Sequence, residues 1–317
     1  MILSLILIIV GFVALIYGAN WLVNGASSLA KKFGVSDLVI GLTIVAFGTS
    51  APELVVNSVA SADGFSDIVL GNIIGSNNFN LFIILGIAAL VYPIAVQKST
   101  IKGEIPISLL VAIVFLLLAN NFYVGANSEI SRWDALVMLL LFGGFLYYIF
   151  KQMKNEIPEH IDYIPKSNNA IFGLIILGFA GLILGGKLVV DNAILVATEL
   201  GVSQKIIGLT IIAVGTSLPE LVTSVIAAMK KNSDIAIGNV IGSNVFNVLL
   251  VIPVSTMINP IAFDSVFNQD IYILIGGTIF VLGALILSKS NKISRWHGII
   301  LLGFYLIYTG YLVSKEL

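Results

Sequence analysis

The stretch "GVSDLVIGLTIVAFGTSAPELV" at Gly34–Val55 returns as "GVSQKIIGLTIIAVGTSLPELV" at Gly201–Val222, 167 positions later. Each copy is an apolar run interrupted by a glutamate directly after a proline: Glu53 after Pro52, Glu220 after Pro219. An ionisable side chain inside hydrocarbon is costly and marks a functional position by default. The likeness continues. Residues 34–94 align with 201–261 without a gap, "SDIVLGNIIGSNNFN" matching "SDIAIGNVIGSNVFN", and about half of those 61 positions are identical. Polar positions match as closely as apolar ones, which duplication kept for packing alone does not require.

Around these segments the composition is that of a membrane protein. Of 317 residues 58% are hydrophobic and only 10% charged, with a mean hydropathy of +1.05. Soluble domains carry about 25% charged residues. The apolar runs are long and do not alternate, which predicts helical spans rather than an outer-membrane barrel. A net charge of −1 gives no field that would favour nucleic acid. The absence of cysteine excludes disulfides, thiolate metal sites and thiol catalysis. The N-terminal apolar run has neither a basic leader region nor a small-residue cleavage site, so it reads as a retained first span.

Runs of about 20 apolar residues predict ten spans, near 2–24, 36–62, 67–92, 104–120, 133–151, 169–196, 203–229, 233–259, 270–288 and 296–314. With that count, twelve of the 16 basic residues fall on one side of the membrane, and Arg132, Lys205 and Lys315 on the other. The positive-inside rule makes the basic side cytoplasmic and both termini extracellular, in the cell membrane. Each copy of the repeat sits in a set of five spans. Five is odd, so the second set enters from the opposite side. The expected fold class is therefore an all-α membrane protein of ten transmembrane helices in two inverted five-helix repeats, with helices 2 and 7 broken. The repeats are 1–151 and 169–317, joined by a cytoplasmic connector at 152–168 that is too short for a folded domain. Secondary transporters use this plan for alternating access. "ISRW" also recurs, at 130–133 and 293–296, but at an offset of 163.

Proline at 52 removes a backbone donor and clashes with the carbonyl of Gly48, so span two should break there and loosen the carbonyls of residues 45–48. Within a bilayer such carbonyls are tolerated only where protein, water or an ion satisfies them. Thr49 and Ser50 lie about one turn from Glu53, and Thr216 and Ser217 stand in the same relation to Glu220. Asn72, Ser76 and Asn80 share one helix face at i, i+4 and i+8, as do Asn239, Ser243 and Asn247. Gly71 with Gly75, and Gly238 with Gly242, form the small-xxx-small pattern of close helix approach.

The pooled ligands are carboxylate, amide, hydroxyl and carbonyl oxygens, with no imidazole or thiolate. Such a set suits a hard cation: Ca²⁺, which takes about 6–8 oxygens, or Na⁺, with Mg²⁺ a poorer fit and transition metals poorer still. The competing reading makes Glu53 and Glu220 protonated structural carboxyls. Asn72 and Asn239 read equally as helix bridges or ligands. The glycines of spans one and six either let those helices slide or only let them pack, and Lys187 and Asp191 are expected to form an i,i+4 ion pair near an interface. His160 and His297 read as surface residues. With no H-E-x-x-H and no phosphate-binding glycine loop, the chain is expected to be neither an enzyme nor an ATP-driven pump. A channel remains, and mirror-image sites weigh against a through-pore.

The two copies, G-T-S-x-P-E followed by G-S-N-x-x-N, resemble the α-repeats of the cation/calcium antiporter superfamily, in particular the prokaryotic sodium/calcium exchangers. The resemblance covers roughly 120 residues and fits ten inverted spans. It implies a secondary active antiporter exchanging Na⁺ for Ca²⁺ by alternating access, electrogenic at three Na⁺ per Ca²⁺, with Ca²⁺/H⁺ exchange on the same scaffold as the alternative. By motif it makes Glu53 and Glu220 the principal carboxylate ligands, with Thr49, Ser50, Thr216 and Ser217 adding oxygens. It places Ser76 and Ser243 on flanking Na⁺ sites, Asn80 and Asn247 between the repeats, and the carbonyls of Ala46 and Ala213 among the Na⁺ ligands. Several family members carry Asp at the position of Asn247, a residue associated with K⁺ use, so its absence implies K⁺ independence. Ca²⁺ and Na⁺ are then substrates and lipid is the surroundings; no cofactor and no oligomer is required.

Overall fold

The structure is a computed structural model that describes residues 1–120, 129–155, 167–200, 213–288 and 290–316. Helix α1 (Ile2–Phe33) runs nine residues past the end expected for span one at residue 24. Asn24, Ser27 and Ser28 end the apolar run, but nothing there breaks a helix. The stop comes at Gly34, whose left-handed conformation (φ 65°) lets its N–H cap the carbonyls of Ala30 and Lys31. Lys31 and Lys32 in that last turn suit the negative end of the helix dipole.

Helix α2 (Asp37–Thr49) opens on Ser36, whose hydroxyl accepts the Val39 N–H. It contains a π-helical turn over Gly41–Val45 and ends at Ser50. Helix α3 (Ala51–Ala62) starts directly afterwards with Pro52 in its first turn, and the two axes differ by 44°. Proline belongs there, because the first-turn N–H groups have no intrahelical partner to lose. The expected break in span two is present. Helix α4 (Ser66–Val91) leads through β1 (Ile94–Ala95) to α5 (Lys98–Ala119), β2 (Glu129–Ile130) and α6 (Arg132–Asn155).

Helix α7 (Asn168–Glu199) is followed by α8 (Ala213–Thr216) and α9 (Leu218–Met229), with Ser217 between them and Pro219 in the first turn of α9. Then come α10 (Ser233–Ile258), β3 (Ile261–Ala262), α11 (Asn268–Leu287), β4 (Lys292–Ile293) and α12 (Arg295–Glu316). Among the described residues seven helices are long and apolar enough to cross a bilayer, and the bent pair α2/α3 makes an eighth segment. Of span seven, residues 203–212 lie outside the described residues, as do residues 156–166 of the connector, including His160.

Helices α4 and α10 are the most enclosed and form the centre. Helices α1 and α7 pack antiparallel against each other and present a broad apolar surface outward, Ile9, Ile16, Ile176 and Leu184 among it. In water such a surface would be a liability; in lipid it is the expected exterior. Glycines make the α1–α7 contact possible. A Cβ on Gly11 would lie 2.9 Å from the carbonyl oxygen of Gly185, and one on Gly18 2.9 Å from that of Gly178. The ion pair expected between Lys187 and Asp191 is present at 2.9 Å.

The recurring "ISRW" builds a clasp in each half. Ile130 pairs with Ile261 and Ile293 with Ile94 in two antiparallel ribbons. Next to them Arg132 donates to the carbonyls of Met257 and Ile258, each at 3.3 Å, and Arg295 to that of Leu90 at 3.0 Å. Each arginine thus satisfies terminal carbonyls of a helix from the other half.

Candidate metal centre

Two serines interrupt the chain in the same way. Ser50 (φ −83°, ψ 5°) separates α2 from α3, and Ser217 (φ −89°, ψ 5°) separates α8 from α9. The interruption places Glu53 and Glu220 in the first turns of α3 and α9, both buried with 1% of their surface accessible. The breaks cross. Ser50 Oγ donates to Glu220 Oε1 at 3.0 Å, and Ser217 Oγ lies 3.5 Å from Glu53 Oε1 and 3.1 Å from Ser76 Oγ. Each carboxylate is thus bonded by the opposite break. The Thr49 and Ser243 hydroxyls also lie beside Glu220, and that of Thr216 beside Glu53.

A second ring of contacts holds the breaks in place. Thr49 Oγ1 donates to Asn239 Oδ1 at 3.1 Å, and Thr216 Oγ1 to Asn72 Oδ1 at 3.1 Å. Asn239 Nδ2 in turn reaches Ser224 Oγ (2.9 Å) and the Glu220 carbonyl (3.3 Å), and Asn57 Nδ2 donates to the Glu53 carbonyl at 2.7 Å. Asn72 and Asn239 therefore bridge helices. Close approach on one side follows the glycines: a Cβ on Gly238 would lie 3.0 Å from the Leu38 carbonyl oxygen, and one on Gly242 2.9 Å from that of Leu42. Among the described residues Gly71 and Gly75 meet no such neighbour: a Cβ on Gly71 would lie 3.8 Å from the Phe267 ring, and one on Gly75 would meet nothing within 4 Å.

Four asparagines join α4 and α10 at the centre. Asn77 Nδ2 donates to the Asn244 carbonyl and Asn244 Nδ2 to the Asn77 carbonyl, both at 3.3 Å. Asn80 Nδ2 reaches Asn244 Oδ1 at 3.1 Å, and Asn247 Nδ2 reaches Asn77 Oδ1 at 2.9 Å. Asn247 begins a π-helical turn (Asn247–Val251) and Asn80 lies inside the matching one (Phe79–Ile84). Such turns are frequent where side chains serve a site. Asn77 and Asn244 were not singled out in the sequence reading. The signal was available: both stand in the G-S-N triplet, 167 positions apart.

With these bonds made, several oxygens remain bare. Among the described residues Glu53 Oε2, Glu220 Oε2, Asn80 Oδ1, Asn247 Oδ1 and Ser243 Oγ are buried without a hydrogen-bond partner, as are other buried oxygens such as Asn57 Oδ1, Asn78 Oδ1 and Thr223 Oγ1. A buried acceptor without a partner costs about 1–3 kcal/mol, more when charged. The first five named belong to residues expected as ligands, and the two asparagines among them spend amide N–H groups elsewhere and leave their carbonyl oxygens free. Two carboxylates with neutral oxygens are a donor set of the kind a hard cation takes.

The backbone carbonyls divide. Of those expected to loosen around residues 45–48, that of Ala46 stays bonded, accepting the Ser50 N–H at 3.0 Å and the Thr49 hydroxyl at 3.3 Å. The interruption falls at Ser50, so the last turn of α2 still closes. In the second break the Ser217 N–H donates to the Val214 carbonyl at 3.2 Å.

Comparison with known proteins agrees with this picture. The family model described as sodium/calcium exchanger protein matches residues 3–151 and 170–314. The sodium/calcium exchanger MaX1 of Methanosarcina acetivorans is 32% identical over 346 residues, covering 96% of this chain and 97% of its own. The inner membrane protein YrbG of Escherichia coli (strain K12) is 34% identical over 97% of this chain and 96% of its own. A solved structure of the sodium-calcium exchanger NCX_Mj soaked with 2.5 mM Na⁺ and 10 mM Sr²⁺ superposes with a TM-score of 0.85, at 33% identity and 98% coverage of both chains.

Proposed function

The chain belongs to the sodium/calcium exchanger family, a family of membrane transporters rather than enzymes, and from that membership we propose that it exchanges Na⁺ for Ca²⁺ across the cell membrane. The observation that carries the proposal is the set of bare oxygens of Glu53, Glu220, Asn80, Asn247 and Ser243 around the crossing of the two breaks. Glu53 and Glu220 are the principal ligands; Thr49, Ser50, Thr216, Ser217, Ser76 and the carbonyls of Ala46 and Ala213 complete overlapping Na⁺ positions. For Ala46 to take part, its carbonyl must release the Thr49 hydroxyl.

Competition for shared oxygens is what couples the two ions. One Ca²⁺ neutralises two carboxylates, whereas three Na⁺ leave the centre at +1. The pocket holds one load or the other, and a secondary transporter that moves only when loaded exchanges them. The chain is built of ten spans in two inverted repeats, with both termini outside, and the repeats take turns in opening to either side. Support comes from the matched breaks, matched π turns and matched "ISRW" clasps. With Asn rather than Asp at 247, the centre has two carboxylates and no third, so transport is independent of K⁺. Family membership does not favour the Ca²⁺/H⁺ alternative.

Uptake of ⁴⁵Ca²⁺ into proteoliposomes tests the reading. Na⁺-loaded vesicles diluted into Na⁺-free buffer accumulate Ca²⁺, and those with equal Na⁺ on both sides do not. Uptake that follows a pH jump and ignores the Na⁺ gradient refutes it.

A further inference from the structure

Lys230, just after α9, and Asp63, just after α3, occupy aligned positions of the two halves, 167 apart. The same offset relates Asn20 of α1 to Lys187 of α7, and Asn24 to Asp191. In this structure Lys230 Nζ donates to Asn24 Oδ1 at 2.8 Å and to the Asn20 carbonyl at 3.2 Å. Beside it Asn232 Nδ2 donates to Asp37 Oδ2 at 2.6 Å and to Ser27 Oγ at 2.9 Å. These bonds fasten α1 to the end of α9, along which it packs. The aligned elements on the opposite face stand apart. Helix α7 makes no comparable contact with α3, Lys187 is paired with Asp191 of its own helix, and Asp63 is exposed. In this conformation the outer helix is fastened at the Lys230 face and not at the Asp63 face.

We propose that Lys230 and Asp63 are the two latches of the transport cycle: when the Asp63 face closes, Asp63 takes Lys187 away from Asp191, and Lys230 releases Asn24. The proposal rests on the reading that the two repeats exchange conformations during transport. Exchange brings position 63 to positions 187 and 191 as position 230 now meets positions 20 and 24. The residues found there suit the role, because Asp63 meets a lysine, the opposite charge. Asp191 holds Lys187 at that level of α7 until Asp63 arrives, since an i,i+4 partner orients the ammonium without burying it. The latches differ in kind. One joins a cation to neutral amide oxygens, and the other joins two charges. Neither touches the ion pocket, so they set the ratio of the two conformations rather than ion affinity, by up to about fivefold, the weight of one exposed ion pair.

The chain has no cysteine, so introduced pairs report alone. In membranes carrying the full chain, the Asn24→Cys/Lys230→Cys pair is expected to cross-link in the conformation seen here. The Asp63→Cys/Lys187→Cys pair should cross-link in the opposite one, each bond stopping ion flux until a reductant restores it. Failure of the 63/187 pair to cross-link where the 24/230 pair does, or flux that continues through a completed 63/187 bond, overturns the proposal. Charge variants give a second readout. Asp63→Asn or Lys187→Gln is expected to slow turnover up to about fivefold, and the exchange Asp63→Lys with Lys187→Asp to restore it. Unaltered turnover in both single variants overturns it as well. Cross-linking is scored without reference to which ions move, so its failure is distinct from loss of Na⁺-driven Ca²⁺ uptake by the reduced protein, which would refute the exchanger reading instead.

Discussion

At the scale of the residue, the chemistry falls to two carboxylates on the proposed reading, and that role can be separated from stability. Each has one oxygen held by a serine of the opposite break and one bare. Glu53→Gln or Glu220→Gln keeps the shape and removes a charge that only a cation compensates. We expect Na⁺-driven Ca²⁺ uptake to fall at least about 100-fold, in line with losing a charged partner at about 3 kcal/mol or more. In ion-free detergent the melting temperature should stay level or rise, because an uncompensated buried charge has gone. A variant that loses flux and melts early would mark the glutamates as structural. The asparagines are expected to behave the other way. Asn77→Ala strips the donor to the Asn244 carbonyl and the acceptor of Asn247, and should lower stability by about 1–3 kcal/mol, read as a shifted denaturation midpoint. The glutamates were legible from the sequence because a carboxylate in an apolar run has few explanations. Asn77 and Asn244 were not, because periodicity names the face a side chain occupies and not its partner on another helix.

The broken helix is the device at the scale of the element. Pro52 announces it, but proline alone does not fix whether a helix bends or ends, and here the chain ends α2 at Ser50 and begins again. Pro52→Ala returns an N–H able to bond the Gly48 carbonyl, favouring one straight helix through the site. Because Ser50 would then turn away from Glu220, we expect exchange to drop about tenfold, the effect of one lost hydrogen bond to a charged group at about 1.5 kcal/mol or more. Circular dichroism should show unchanged or greater helix content. Equal flux in Pro52→Ala and the parent chain would show that the break needs no proline. The π turns at Phe79–Ile84 and Asn247–Val251 were illegible, since both lie in helices enclosed on nearly all sides, which leaves no solvent-facing stripe whose period could show the change. The end of α1 was misread for a related reason: polarity was taken as a stop where only Gly34 supplies one.

For the whole molecule the matched halves make a claim that no single residue carries, namely that charge moves with exchange. On the proposed reading two carboxylates would hold one Ca²⁺ at zero net charge and three Na⁺ at +1, so each cycle of Ca²⁺ uptake would carry one positive charge outward. Moving one charge through 100 mV is worth about 2.3 kcal/mol, so an inside-positive potential of that size should raise the equilibrium Ca²⁺ accumulation ratio by about 50-fold. Proteoliposomes clamped with a K⁺ gradient and ionophore measure this, and the same vesicles clamped at zero potential with equal K⁺ at several concentrations test K⁺ independence. An unshifted ratio would mean two Na⁺ per Ca²⁺. That outcome would leave the fold and the two glutamates as argued and remove only the third Na⁺. The potential therefore tests the number of Na⁺ exchanged more directly than flux alone, because flux requires coupling whereas the shift requires a particular number of charges.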